Sequence, residues 1–147
     1  MRTLLIGEQT QLIKNITKNK DLKLIYYEKV YFSNSNFIYQ FNADTRFDNL
    51  SIIVDLSVNL NENLLGLLFV LNFLKEKGIL IKKLIFPYFP YSRSNNKSEN
   101  CTSGLDAIIH CLNQNLIEEI IIYDPHFVRQ DLPFRAMVKT ISQEEIF

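Results

Sequence analysis

The chain has 147 residues, 47% hydrophobic and 22% charged, with sixteen basic and sixteen acidic side chains and no formal net charge. That is the make-up of a globular domain with room for a sizeable core, and the even charge balance speaks against nucleic acid or an anionic membrane as partner. No apolar run approaches a membrane span, and the N-terminal apolar stretch, Leu4 to Ile6, is too short for an export signal. The expectation is one cytoplasmic domain over residues 1–147, with Cys101 and Cys111 left reduced.

Taken in chain order, Thr3 to Gly7 reads as a short buried strand. Gln9 to Lys18 places Leu12, Ile13 and Ile16 on one side, the spacing of an amphipathic helix. Leu22 to Phe32 is rich in Leu, Ile, Tyr and Val with rough alternation and predicts a strand broken near Glu28-Lys29. Ser33 to Asn36 is a turn by composition, Phe37 to Phe41 a strand, and Asn42 to Asn49 a polar turn. Ser51 to Leu56 is almost continuously apolar, as the middle of a parallel sheet requires. Asn61 is the expected N-cap of a helix from Glu62 to Lys77, with Leu64, Leu65, Leu68, Leu71 and Phe73 or Leu74 inward and Gly78 ending it.

Lys82 to Phe86 is the next strand, running into Pro87-Tyr88-Phe89-Pro90-Tyr91-Ser92-Arg93 and a polar loop to Asn100. Ser103 and Asp106 have the spacing of a capping box for a helix to about Leu116. Glu118 to Tyr123 is a strand, Asp131-Leu132-Pro133 a turn, and Ala136 to Ile141 a last short strand. Strand and helix alternate from Ser51 onward, which predicts βαβ units and an α/β parallel sheet.

Ligands in such sheets collect beyond the carboxyl ends of the strands. Polar residues stand at three of those ends: Asp55 and Ser57, then Arg93, then Asp124 and His126. The aromatics and Arg93 after Phe86 suit a nucleotide platform, but by periodicity alone the favoured reading is a strand end that closes a core. Asp124 and His126 could share a cation or simply form an Asp-Pro turn beside an exposed histidine. His110 and Cys111 read as surface or packing residues. The four glycines, Gly7, Gly66, Gly78 and Gly104, lie far apart, so no glycine-rich phosphate cradle is present in this sequence.

Three segments in order, Phe32-Ser33-Asn34-Ser35-Asn36, Pro87-Tyr88-Phe89-Pro90-Tyr91-Ser92-Arg93 and Tyr123-Asp124-Pro125-His126, resemble ribose-phosphate pyrophosphokinase (phosphoribosyl pyrophosphate synthetase). The resemblance covers about the first half of a family member. It implies a phosphoribosyltransferase-like fold, a parallel sheet with helices on both faces. It also implies the family reaction, in which the diphosphate of Mg-ATP passes to the anomeric hydroxyl of ribose 5-phosphate. In those terms Phe32 would stack on adenine in a neighbouring subunit's site, Asn34 would meet the base edge, and Arg93 would bind the ATP phosphates. Asp124, His126 and Asp131 would lie near Mg²⁺, and the chain would work as a homo- or hetero-oligomer.

The sequence departs from the family pattern. Asn36 stands for a glutamate, Ser94-Asn95 follow Arg93 in place of Gln-Asp, and Arg135 replaces a second aspartate after the Asp131 turn. Neither the family's phosphoribosyl loop nor its Lys-Arg flap occurs. The expectation is therefore a homologue without a complete catalytic set, inactive alone and not itself binding ribose 5-phosphate. The alternatives are a nucleotide-binding or regulatory subunit of a full synthetase, or a remnant whose fold persists.

Overall fold

The computed structural model describes residues 1–8, 10–92, 100–123 and 132–142. Its elements are β1 (Arg2–Ile6), α1 (Gln11–Thr17), β2 (Lys23–Ile25), β3 (Tyr27–Tyr31), β4 (Phe37–Phe41), β5 (Leu50–Val54), α2 (Leu60–Glu76), β6 (Ile81–Phe86), α3 (Gly104–Asn113), β7 (Ile117–Tyr123) and β8 (Met137–Ile141). Six strands form one parallel sheet in the order β2-β1-β5-β6-β7-β8, while β3 and β4 pair antiparallel as a separate hairpin. The expected α/β parallel sheet with helices on both faces is the fold.

One face carries the core. Leu4 and Ile6 of β1, Leu50, Ile52 and Val54 of β5, Leu84 and Phe86 of β6, and Ile120 and Ile122 of β7 are buried together with Leu67, Val70, Leu71 and Leu74 of α2 and Leu105, Ile109 and Leu112 of α3. These are alternate residues of each strand, as the pleat demands. The helix residues recur at three- and four-residue steps, as an amphipathic helix demands. Ile13 of α1 is buried too, but outside this cluster. Right-handed crossovers from β1 to β2 and from β5 to β6 run in opposite directions and so set α1 on the face opposite α2 and α3.

Gly78 ends α2 as expected. Its φ is +66°, its N–H donates to the Lys75 carbonyl at 2.9 Å, and the Ile79 N–H donates to the Leu74 carbonyl at 3.0 Å. That pair of bonds is a Schellman cap. The Ser103 hydroxyl accepts from the Asp106 amide at 3.2 Å, the expected N-cap of α3.

Several expectations need correction. Leu22 to Phe32 is two strands, and the break falls at Tyr26 rather than at Glu28-Lys29. β2 lies parallel to β1 and β3 antiparallel to β4, so the chain must leave one sheet before joining the other; Tyr26, 75% exposed, is the crossing point. The α2 cap is Asn59, held at φ 48° without a side-chain cap bond, and Asn61 lies within the first turn. Leu65 points outward, 45% exposed, because the buried stripe runs through Leu67, Val70, Leu71 and Leu74. The end of α3 falls at Asn113, since the chain turns to enter β7 at Ile117.

Candidate functional site

The order of the sheet reverses between β1 and β5: β1 leads to β2 on one side, and β5 leads to β6, β7 and β8 on the other. The crevice beyond the carboxyl ends of such a pair is where open α/β sheets hold ligands. Here it is built by Gly7-Glu8 after β1 and Asp55-Leu56-Ser57 after β5. The Asp55 amide donates to the Ile6 carbonyl at 2.8 Å, extending the strand pair into the crevice. Gly7 sits at φ +143°, and a Cβ there would lie 2.8 Å from the Asp55 carbonyl oxygen. Only glycine meets both demands.

Asp55 is 2% exposed. One carboxylate oxygen accepts from the Thr10 hydroxyl. The other accepts from the Ser57 amide at 3.0 Å and the Ser57 hydroxyl at 2.7 Å. Burial alone would push the carboxyl up, but these bonds from Thr10 and Ser57 outweigh it and hold Asp55 below the ordinary carboxylate range. The carboxylate thus fastens the start of α1 to the end of β5. Its oxygens are occupied by this chain, and its role is to shape the crevice.

The first turn of α2 ties the surrounding loops together. Asn59 donates to Glu8 at 3.3 Å, joining it to the β1 end. Asn61 accepts from the Tyr91 hydroxyl at 2.6 Å, joining it to the loop after β6. Glu62 takes the Tyr31 hydroxyl at 3.3 Å and Lys29 Nζ at 3.2 Å, joining it to the hairpin. Lys29 also lies 4.5 Å from the Phe37 ring centre and 5.1 Å from that of Tyr31. Burial would lower the Lys29 pKa, but Tyr31 and Glu62 outweigh it and raise it, so the ammonium stays charged.

The hairpin rests on α2 through aromatic contacts. Phe37 meets Phe69 at 5.3 Å and Phe41 stacks on Phe73 at 5.3 Å, while the Tyr39 ring closes over Gly66. Its tip turns at Asn34 and Ser35, with φ 63° and 61°, and the Phe32 amide donates to the Asn36 carbonyl at 2.6 Å. Phe32 is left 53% exposed.

Of the residues read from the sequence, Phe32 and Asn34 therefore share the hairpin tip. Arg93, Asp124, His126 and Asp131 lie outside the described residues. The rings before Arg93 divide their work: Phe89 is buried against Phe86 at 4.9 Å and Phe134 at 5.9 Å, whereas Tyr91 is the loop's anchor to α2. Among the described residues no three of His, Cys, Asp and Glu come together as a metal site. His110 and Cys101 are exposed and Cys111 half-buried. Sequence reasoning set Asp55 and Ser57 at a strand end but missed Thr10, Glu8, Lys29 and Glu62. The one local sign of the first two was Gly7, a glycine closing a strand.

The profile of the family described as the N-terminal domain of ribose phosphate pyrophosphokinase matches residues 1–120. Among solved structures, phosphoribosylpyrophosphate synthetase from Mycobacterium smegmatis superposes with a TM-score of 0.81 at 18% identity, covering 99% of this chain and 50% of that one. The fold is thus shared, and the chain spans about half the length of that relative. Comparison with curated protein sequences finds no match. With four-fifths of its length under the family profile, the chain belongs to the family of the N-terminal domain of ribose phosphate pyrophosphokinase.

Proposed function

We propose that this chain supplies the nucleotide side of a diphosphate transfer from Mg-ATP to ribose 5-phosphate. The observation that carries the reading is Phe32, an aromatic ring 53% exposed at the tip of a hairpin that is itself packed firmly on α2. An exposed ring on a fixed support is suited to stacking on a base. Asn34 beside it would meet the base edge, and Arg93 would bind the phosphates, where a planar cation matches their oxygens in pairs. A tip pointing into solvent would act in a neighbouring subunit, so the active form is a homo- or hetero-oligomer. Within residues 1–147 the work belongs to the cytoplasmic, single-domain nucleotide-binding part.

Asp124 and Asp131 are oxygen donors of the kind Mg²⁺ takes, whereas His126 is an unusual ligand for it and better suited to a phosphate oxygen. Mg²⁺ bound with the nucleotide would neutralise charge on the phosphate oxygens. Ribose 5-phosphate would be held by residues beyond this sequence, in the same polypeptide or another chain, because the four scattered glycines here form no phosphate cradle. The 147 residues alone are expected not to turn over. Asn36, Ser94-Asn95 and Arg135, where the resemblance has acids or their neighbours, favour a second role as a regulatory nucleotide-binding subunit of a complete synthetase, and leave a decayed remnant as the limiting case.

Calorimetry with Mg-ATP tests the reading: heat is expected with the wild-type chain and its loss with Phe32→Ala or Arg93→Ala. No heat at millimolar Mg-ATP would refute it. Release of AMP from Mg-ATP and ribose 5-phosphate by the 147-residue chain alone would overturn the assignment of an incomplete catalytic set. Co-purification with a full synthetase would favour the regulatory role.

A further inference from the structure

A cavity of about 370 Å³ opens beside the hairpin, along β3 from Tyr27 to Tyr31. Leu5 of β1, Ile13 of α1 and Leu24 of β2 give it an apolar part, and Glu8, Tyr27, Tyr31 and Tyr39 line it as well. The volume falls in the range of small-molecule sites, about 300–1,000 Å³. The place is the carboxyl end of β1, beside the point where strand order reverses. The nucleotide reading above makes no use of it.

The polar groups around this cavity are not balanced between donors and acceptors. Glu8 is known to take one bond, from Asn59 to Oε1, and a carboxylate can accept about four. The Tyr27 hydroxyl spends its proton on the Leu5 carbonyl at 2.9 Å, which leaves its oxygen as an acceptor. Lys29, which itself lines the cavity, is matched by Glu62 at 3.2 Å. Burial and then the Glu8 carboxylate push the Tyr27 phenol up to about 12, and burial and Tyr27 raise Tyr39, with Glu8 contributing. Both phenols therefore stay neutral at physiological pH, and Glu8 lines the same cavity.

We propose that this cavity is a binding site for a flat, uncharged nitrogen heterocycle bearing an amino group, a nucleobase or its nucleoside without phosphate. The apolar part and the tyrosine rings would take the flat faces, and Glu8 would accept from the amino group. Among the described residues a phosphate finds no unmatched cation here and would meet Glu8 instead, so a nucleotide is disfavoured.

The test is nuclear magnetic resonance titration of the 147-residue chain with adenosine and cytidine, against purine riboside and 2-pyrimidinone riboside, which lack the amino group and gain no ring N–H. Adenosine or cytidine is expected to shift the signals of Leu5, Gly7 and the Tyr27 and Tyr39 rings at low-millimolar concentration. The analogue without the amino group should bind about tenfold more weakly, the scale of one lost hydrogen bond to a charged group. Glu8→Gln should cost a similar factor, and AMP should bind more weakly than adenosine. The proposal is overturned if neither amino nucleoside shifts these signals at 10 mM (roughly the limit of a weak site), or if the analogues bind equally well. The nucleoside comparison decides the matter on the wild-type chain even if Glu8→Gln does not fold. Failure here leaves Mg-ATP binding at Phe32 and Arg93 untouched, and failure there leaves this site untouched.

Discussion

Gly66→Ala tests how the hairpin is mounted on α2. In an exposed helix interior the exchange would stabilise the protein by about 1 kcal/mol, the propensity difference between the residues. Here a Cβ at position 66 would lie 2.7 Å from Cε2 and Cζ of Tyr39. The ring has little room to yield: its centre is 4.6 Å from that of Tyr27 and 5.6 Å from that of Phe37. Overpacking of this kind costs about 1–3 kcal/mol. The net expectation is a loss of up to about 2 kcal/mol, because the clash exceeds the propensity gain. In a Tyr39→Ala background the clash is gone, and the same Gly66→Ala change should stabilise by about 0.5–1 kcal/mol. Urea denaturation of the four proteins measures both effects, with constant m-values as the control for two-state unfolding. A stabilising Gly66→Ala in the wild-type chain, or the same cost in both backgrounds, would refute the packing of Tyr39 on Gly66.

Three further outcomes follow from the crevice and the tip. Asp55→Asn should cost about 1–3 kcal/mol at pH 7. Since the folded carboxyl titrates below its unfolded value, its contribution is full above about pH 4 and fades as pH falls through the lower folded pKa, so the difference from wild type should shrink at pH 3. Equal differences at pH 3 and pH 7 in denaturant titrations would count against the Thr10–Asp55–Ser57 network. Gly7→Ala should cost about 1–3 kcal/mol, from its positive φ and its approach to the Asp55 carbonyl; an unchanged melting temperature would contradict that geometry. Phe32→Ala should leave thermal stability within about 0.5 kcal/mol while removing Mg-ATP binding, and a large drop in stability would mean that the ring is packed rather than presented.

Much of the fold was legible in the residues because the deciding interactions are local. The apolar runs of β1 and β5, the Schellman glycine Gly78 and the Ser103 cap each act within a few positions. The hairpin tip was legible for the same reason, since Phe32 to Asn36 carries its own turn chemistry and the family pattern. The break at Tyr26 was not, because Leu22 to Phe32 has the same β-forming composition whichever sheet each part joins. Leu65 was misassigned because a helix with leucines on several sides does not mark its buried stripe by composition alone.

What the sequence determined by itself was the set of strands and helices, the family and the residues of the hairpin tip. Only the tertiary structure decided what meets at the carboxyl ends of β1 and β5. Thr10 and Asp55 are 45 positions apart, Tyr31 and Glu62 31 apart, and Tyr91 and Asn61 30 apart. No periodicity reaches over such distances. It is the reversal of strand order between β1 and β5, together with the hairpin folding back onto α2, that gathers Glu8, Lys29, Tyr31, Tyr91 and Asp55 around one helix start and one crevice.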